Sequence, residues 1–303
     1  MKKNSFVLLV IGLSYCSSIA QSNSQRLPVL IIDGFSNHDW QQTSKVVKWI
    51  LERSDLFLVD VSTIPTDSVL AQNWHPDFSK YRAVIQNTNN IQNRKLRWPR
   101  NAEIQLERYV AGGGGLYILH SANNAFDHWI EYDKMIGMGW RPQSFGTALE
   151  IINDKVIKIP PGEGQGTGHG DRFNAKIKIL KRHPINKGYP TTWTTASTEV
   201  YYFPRGDGEH LTVLSYAFDS TATHRFWPVE WIVKYHKGMV YNSSMGHLWK
   251  GETYPPAYRC AGFQTTLVRV TEWLATGKVK YSVPVDFPTA DHTSLRKDDV
   301  VFD

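Results

Sequence analysis

The chain has 303 residues, with 34 Lys and Arg against 28 Asp and Glu, and a net charge of +6. Its basic residues are scattered along the chain, which argues against a nucleic-acid-binding protein. Of the two cysteines, Cys16 lies in an N-terminal segment that we expect to be removed, and Cys260 is left alone, so neither a disulfide framework nor a thiolate metal site is expected. No linker or composition break divides the chain, which favours one elaborated domain.

Residues 1–20 are predicted to form a signal peptide. A basic start is followed by an apolar run at residues 6–13, and Ser18 with Ala20 satisfies the small-x-small rule for cleavage. The run is much shorter than the roughly 20 residues that a membrane-spanning helix needs. We therefore expect a periplasmic or secreted protein. Lipid attachment at Cys16 is the less favoured alternative, because the residue before it is not small.

The first half of the remaining chain alternates short apolar runs with segments whose apolar residues recur at helical spacing. The runs predict buried strands at residues 28–33, 56–61, 83–86 and 116–119, and the periodic segments predict helices at residues 41–52 and 102–110. Such alternation predicts an α/β fold of the flavodoxin-like kind, with helices on both faces of a parallel sheet.

The second half is richer in strand patterns. Strands are predicted at residues 147–153, 155–159, 212–217 and 239–242, followed by a helix at 267–274 that Gly277 ends. We expect these strands to be β-rich insertions in one domain covering residues 27–283. Residues 284–303 carry few apolar side chains and are predicted to form a surface tail.

In parallel sheets the ligand crevice lies beyond the carboxyl ends of the strands. The loop at residues 33–39 follows the first predicted strand, and residues 120–124 follow the fourth. Both loops should therefore emerge at the same edge of the sheet, which predicts the location of a functional site.

Three histidines occur at strand ends or in glycine-rich segments. His120 ends the fourth strand, His169 lies in the glycine-rich loop 162–170, and His247 follows Gly246 after another strand. Three imidazoles with one open position are the usual ligands of catalytic zinc, although imidazole also suits Cu, Fe and Ni. The sequence therefore predicts a divalent transition-metal site, for which zinc is the first choice. Two alternatives stay open: His120 as a helix cap, and His169 as an incidental residue of a mobile loop.

Other polar and aromatic residues are candidates for the same site. For the general base we consider Asp39, His120 and Glu131, although Asp39 also suits the N-cap of the first helix. For substrate binding the candidates are His38, Trp40, Asn123, Asn124, Trp129, Glu199 and Trp227. The indole rings can stack on sugar rings, but core packing is an equally good interpretation of each.

With these residues in place, the chain resembles the ThuA-like, or trehalose-utilisation, family. The resemblance rests on residues 29–40, 113–126, 168–170, 235–238, 246–247 and 272–279. It implies a variant of the class I glutamine amidotransferase fold in which His120 replaces the nucleophilic cysteine and His247 corresponds to the late histidine. Cys260 lies in a region unlike that turn, so thiolate-based glutamine hydrolysis is not expected.

The resemblance also implies histidines that hold a divalent metal, and sugar pathways with 3-keto intermediates. We therefore expect a metal-dependent lyase or hydrolase that acts on 3-keto-glycosides or disaccharides. Two other hypotheses remain: a non-catalytic sugar-binding module, and a metal-dependent hydrolase of another small substrate. The expected partner is a small carbohydrate, with no nucleic acid and no transmembrane segment; the oligomeric state cannot be predicted.

Overall fold

A computed structural model describes residues 26–253 and 255–297. The predicted signal peptide lies outside these residues. In chain order the first half contains β1 (Leu27–Asp33), α1 (Trp40–Arg53), β2 (Phe57–Thr63), α2 (Ser68–Gln72), β3 (Ala83–Gln86), α3 (Arg100–Ala111), β4 (Gly115–Leu119) and α4 (Ile130–Ile136).

The second half consists mainly of strands. It contains β5 (Thr147–Ile152), β6 (Lys155–Ile159), β7 (Gly168–His169), β8 (Lys176–Ile179), β9 (Thr192–Thr194), β10 (Tyr201–Tyr202), β11 (Arg205–Gly206), β12 (Leu211–Phe218), β13 (Phe226–Tyr235) and β14 (Gly238–Ser243). Two helices follow, α5 (Pro256–Arg259) and α6 (Ala261–Thr276). Short 3₁₀ helices occupy Phe78–Lys80, His120–Asn124 and Pro184–Asn186.

A large central sheet confirms the mixed α/β class. Its strand order is β2-β1-β3-β4-β14-β13-β12-β8-β9. The first five strands in this order, β2, β1, β3, β4 and β14, are parallel to one another. From β14 onwards, through β13, β12, β8 and β9, each strand pairs antiparallel with the next. The parallel arrangement predicted from the sequence therefore holds for one part of the sheet only. Strands β5, β6 and β11 attach to its side, and β7 pairs with β10 in a separate ribbon.

Helices cover both faces of the parallel part. Along β1, Val29 and Ile31 point to the face that holds the apolar side chains of α1 and α6, whereas Leu30 and Ile32 point to the face packed by α3 and α4. Successive side chains of a strand point to opposite faces of the sheet, so a strand that is buried on both faces carries apolar residues at successive positions. Each fully buried aliphatic side chain contributes about 1.5–3 kcal/mol to folding, so the two cores fix the sheet between its helices.

The carboxyl ends of β4 and β14 lie side by side, because Leu119 pairs with Ser243 in parallel register. The residues that follow, His120 and Ser244, are therefore neighbours although they are far apart in sequence. Strand β1 ends at the same edge, separated from β4 only by β3. This geometry creates the predicted crevice.

Strand β13 is the longest element that the sequence pattern did not reveal. Pro228 lies inside it, and proline in a strand interior normally argues against a strand because it cannot donate to a ladder. Its partner Tyr216 lies at a shift in the β12–β13 register.

The C-terminal segment packs along the domain. The carbonyl of Thr289 accepts the backbone N–H of Thr194, and Leu295 pairs with Cys260 in an isolated bridge. Within the described parts of the chain, no helix has the length and apolar character that a membrane crossing needs. The predicted boundary at residue 284 stays a prediction.

Candidate metal centre

His120 lies at the sharp turn that follows β4. Its backbone has a φ of 45°, a left-handed conformation that costs a non-glycine residue about 1–2 kcal/mol. The side chain is buried, and its Nδ1 lies 2.7 Å from the carbonyl oxygen of Ser244. Its Nε2 is buried without a hydrogen-bond partner among the described residues. Backbone strain and an unpaired buried nitrogen at one residue are typical of a functional site.

Two further histidines surround this imidazole. One potential ligand atom from each of His38, His120 and His247 lies within 4.8 Å of the others. Their ring centroids are 4.7 to 5.2 Å apart. His38 comes from the loop after β1, and His247 follows β14 through Gly246, whose φ of 97° suits glycine.

Glu199 faces three imidazoles at once. Its Oε2 lies 3.7 Å from Nε2 of His120, and its Oε1 lies 3.4 Å from Nε2 of His247 and 3.6 Å from Nε2 of His169. The small ribbon places two of these groups, because His169 in β7 pairs with Tyr201 in β10, which Glu199 closely precedes. The ribbon thus brings His169 and Glu199 to the histidines at the sheet edge.

Burial keeps the imidazoles of His38, His120 and His247 uncharged. Desolvation lowers the pKa of His38 to about 3 and that of His247 to about 2, and it lowers the pKa of His120 well below its ordinary value; a neighbouring histidine adds to each shift. Desolvation also raises the pKa of Glu199, against the effect of His169 and Arg172. Neutral imidazole is the form that binds metal ions.

The residues present fit a divalent cation. In a tetrahedral zinc site with bonds of about 2.0–2.1 Å, ligand atoms lie about 3.3 Å apart, close to the carboxylate–imidazole distances around Glu199. Nδ1 of His120 carries the proton, because its nearer partner is the carbonyl oxygen of Ser244 at 2.7 Å, which can only accept; the hydroxyl of Tyr201, 3.4 Å away, can accept as well. Nε2 of His120 therefore turns a lone pair towards a carboxylate, an arrangement that a cation between them would stabilise.

A cavity of about 440 Å³ opens above this cluster. It is lined by aromatic, charged and amide side chains together with the histidines. The lining includes Asn124, Trp140, Arg172, Tyr201 and Trp249. Trp140 lies 5.5 Å from the ring of His169, and Trp249 lies 5.0 Å from that of His38. Apolar ring faces beside hydrogen-bonding groups suit a small polyhydroxylated ligand.

Several predicted site residues lie in or beside the cavity and others do not. His38, Asn124, His169, Glu199 and His247 line it, and His120 lies beneath them. His38, which we predicted to bind substrate, lines the cavity and also belongs to the compact histidine cluster.

Glu131 and Trp129 line a separate surface depression of about 670 Å³. The carboxylate of Glu131 accepts hydrogen bonds from Lys134 and Tyr235, and the indole of Trp129 donates to Glu107. Glu131 therefore does not serve as the base of the histidine site, and Trp129 does not belong to its wall.

Asp39 caps α1, since its carboxylate accepts the backbone N–H of Gln42 at 3.1 Å. Trp40 is the first residue of that helix, and neither residue lines the cavity. Trp227 is fully buried in the core beside Phe203. Asp39 is thus a helix cap, Trp227 is a core residue and the partly exposed Trp40 does not line the cavity, which corrects the three predictions of a role in the site.

Asn123 is buried and donates to the carbonyl of Met138 at 2.6 Å, so it supports the turn rather than lining the cavity. Arg172, Tyr201 and Trp249 are site residues that sequence reasoning missed. Arg172 lies three residues after His169, whereas Tyr201 and Trp249 each lie two residues after a predicted site residue, Glu199 and His247 respectively. Proximity to those candidates was the only signal available.

The fold and the site define a glutamine amidotransferase-like α/β protein in which a histidine occupies the turn after the central strand. The family ThuA, described as trehalose utilisation, matches residues 28–274, and the chain belongs to this family. No curated protein matches the chain.

Two solved structures resemble it over most of its length. A ThuA-like protein from Parabacteroides merdae is 32% identical, with a TM-score of 0.83 over 90% of this chain and 98% of that one. A ThuA-like protein from Bacteroides uniformis is 15% identical, with a TM-score of 0.56 over 88% of this chain and 97% of that one, and shows the fold alone.

Proposed function

We propose that this protein is a metal-dependent enzyme that acts on carbohydrates, with 3-keto-glycosides or disaccharides as substrates. The observation that carries the proposal is the unpaired, buried Nε2 of His120, which faces Glu199 inside a cluster of neutral imidazoles. His120 and Glu199 would hold the metal together with imidazoles drawn from the neighbouring His38, His169 and His247. We propose zinc as the metal, because neutral imidazole is its commonest ligand in proteins.

The cavity supports a sugar-sized substrate. Trp140, Tyr201 and Trp249 offer ring faces and polar edges, while Asn124 and Arg172 offer hydrogen-bond donors. A bound divalent cation would supply Lewis acidity to a carbonyl or hydroxyl oxygen of the sugar. The protein residues would orient the sugar by stacking and hydrogen bonding.

A 3-keto group explains why no ordinary pair of glycosidase carboxylates is needed. The hydrogen on the carbon next to the ketone is acidic, and a general base would take it up as a proton. The C–H electron pair then forms a double bond as the glycosidic C–O bond breaks. The departing oxygen then takes up a proton. The family's association with trehalose utilisation supports a disaccharide as the parent compound.

Export to the periplasm belongs to the same proposal, with cleavage after Ala20. N-terminal sequencing of the mature protein tests it directly, since a chain that begins at Gln21 is expected. A mature chain that begins at a modified Cys16 would instead establish lipid attachment.

The activity is tested with chelator-treated protein, zinc-reloaded protein and a panel of 3-keto-glycosides. Release of the aglycone is expected only from the reloaded protein. Equal turnover by the chelated form would contradict metal dependence. Affinity for the sugar without turnover in either form would favour a sugar-binding module.

A further inference from the structure

The four histidines of the site differ in the hydrogen-bond partner of Nδ1. This partner fixes which of the two ring nitrogens carries the proton. A neutral imidazole has one N–H donor and one lone-pair acceptor. A partner that can only accept therefore places the proton on the nitrogen that it contacts. A partner that can only donate places the proton on the opposite nitrogen.

Three of the four histidines have accepting partners at Nδ1. That nitrogen lies 2.7 Å from the carbonyl oxygen of Ser244 in His120, and 2.6 Å from the carbonyl oxygen of Gly170 in His169. In His38 it lies 3.0 Å from Oδ1 of Asn37.

The side-chain amide of Asn89 donates to the same Oδ1 of Asn37 at 2.7 Å, which identifies this atom as an acceptor. His38, like His120 and His169, therefore carries its proton on Nδ1 and presents a lone pair at Nε2.

His247 has the opposite environment. Its Nδ1 lies 3.1 Å from a guanidinium nitrogen of Arg172, and guanidinium has donors only. The same nitrogen of Arg172 lies 2.6 Å from Oε1 of Glu252, which anchors the guanidinium beside the ring. Trp249 stacks on the imidazole with an interplanar angle of 16°. Nδ1 of His247 must therefore accept, and its proton lies on Nε2, which faces Glu199.

We propose that Arg172 is a positioning residue that keeps His247 out of the metal coordination sphere. His247 then donates from Nε2 to Glu199, while His38, His120 and His169 provide the three imidazole ligands and Glu199 provides the carboxylate. Ligating carboxylates commonly receive such an outer hydrogen bond, which fixes their orientation. This inference rests on the proposed metal site and specifies its ligands.

The test measures zinc content and zinc affinity in four single variants: His38→Gln, His120→Gln, His169→Gln and His247→Gln. Glutamine at position 247 keeps an N–H donor, so we expect stoichiometric zinc with an affinity within about threefold of wild type. The other three variants each lose a ligand and should bind zinc at least about tenfold more weakly, because even the loss of a residue outside the coordination sphere weakens metal binding by about tenfold or more. The exposed His75→Gln serves as a control, and circular dichroism verifies folding.

Equal loss of zinc in His247→Gln and His120→Gln would overturn the inference while leaving the metal site intact. Absence of zinc from the wild-type protein would instead contradict the proposed function. The two failures are therefore distinguishable.

Arg172 itself is tested with cobalt-substituted protein. Arg172→Met removes the donor and frees Nδ1 of His247 to carry the proton, so the visible absorption spectrum of bound cobalt should change as the ligand set changes. Arg172→Lys keeps a donor and should retain the wild-type spectrum. An unchanged spectrum in Arg172→Met would overturn the positioning role.

Two-bond ¹H–¹⁵N correlation spectra of metal-free wild-type protein provide a measurement that needs no substitution. They should show His247 protonated on Nε2 and His120 protonated on Nδ1. The reverse assignment for His247 would overturn the inference whatever the variants do.

Discussion

At the scale of single residues, the site depends on His120. The sequence identified it from its position at a strand end, and identified His169, Glu199 and His247 as further candidates. The pairing of Glu199 with three imidazoles could not be predicted, because it depends on the β7–β10 ribbon, which is only two residues long on each side. Elements of that length leave no periodicity in a sequence.

The strained turn at His120 predicts an order of stability among its variants. In metal-free protein, His120→Gly should be more stable than His120→Ala by about 1 kcal/mol, because glycine adopts a φ of 45° without the steric cost of a Cβ. Urea unfolding of both variants measures the difference. Equal stabilities, or a more stable alanine variant, would show that the turn relaxes when the imidazole is removed.

A second residue-scale prediction concerns Glu230, which is buried in the core between Ser215 and Tyr241. Desolvation raises its pKa, although hydrogen bonds from both hydroxyls act in the opposite direction. The folded state therefore holds this proton to higher pH than the unfolded chain does. The contribution of Glu230 to stability is fully present below its unfolded-state pKa of 4.5. It is lost as pH rises through the pKa of the folded state.

The measurement compares wild type with Glu230→Gln between about pH 4 and pH 8. Wild-type stability relative to the variant should fall as pH rises. A constant difference would show that the carboxyl has the same pKa in both states. Glu163→Gln, at an exposed position, controls for the loss of one carboxyl group.

At the scale of elements, the first half of the fold was predictable and the second half only partly so. Strands β1, β3 and β4 are continuous apolar runs, helices α1 and α3 are regular amphipathic segments, and the structure confirms them. Strand β2 is also present, but the prediction that it is buried was wrong, because it lies at the edge of the sheet and exposes Leu58 and Val61. The long strand β13 was missed because Pro228 interrupts its pattern. α4 was missed because it has only seven residues.

The attachment of α4 to the turn that follows β4 leads to a prediction about Arg141. Its buried guanidinium lies 2.6 Å from the carboxylate of Asp133 in α4 and donates to the carbonyl of Ala125 at 2.8 Å. Arg141→Met would leave the half-buried charge of Asp133 without its partner, and loss of one member of a buried pair costs about 3–5 kcal/mol.

The double variant Arg141→Met, Asp133→Leu should recover much of that loss, since apolar replacement of both partners is often neutral. Guanidinium chloride unfolding measures all three proteins. A single variant within about 1 kcal/mol of wild type would contradict a structural role for the pair, because the loss of a partner from a buried ion pair costs more than that.

At the scale of the whole molecule, the sheet explains why the site forms. Strands β1, β4 and β14 end at one edge, so three chain segments that are distant in sequence supply His38, His120 and His247 to one cluster. The separate β7–β10 ribbon then adds His169 and Glu199 to this cluster. General rules for parallel sheets predicted the edge, whereas the contribution of the ribbon required the tertiary structure.

The central claim is that these residues bind a divalent metal, and anomalous diffraction at the zinc absorption edge tests it most directly. Crystals of zinc-loaded protein should show one strong peak about 2.0–2.1 Å from Nε2 of His120 and in contact with Glu199. Crystals shown to contain zinc that give no peak in this cavity, or a peak only elsewhere, would contradict the account.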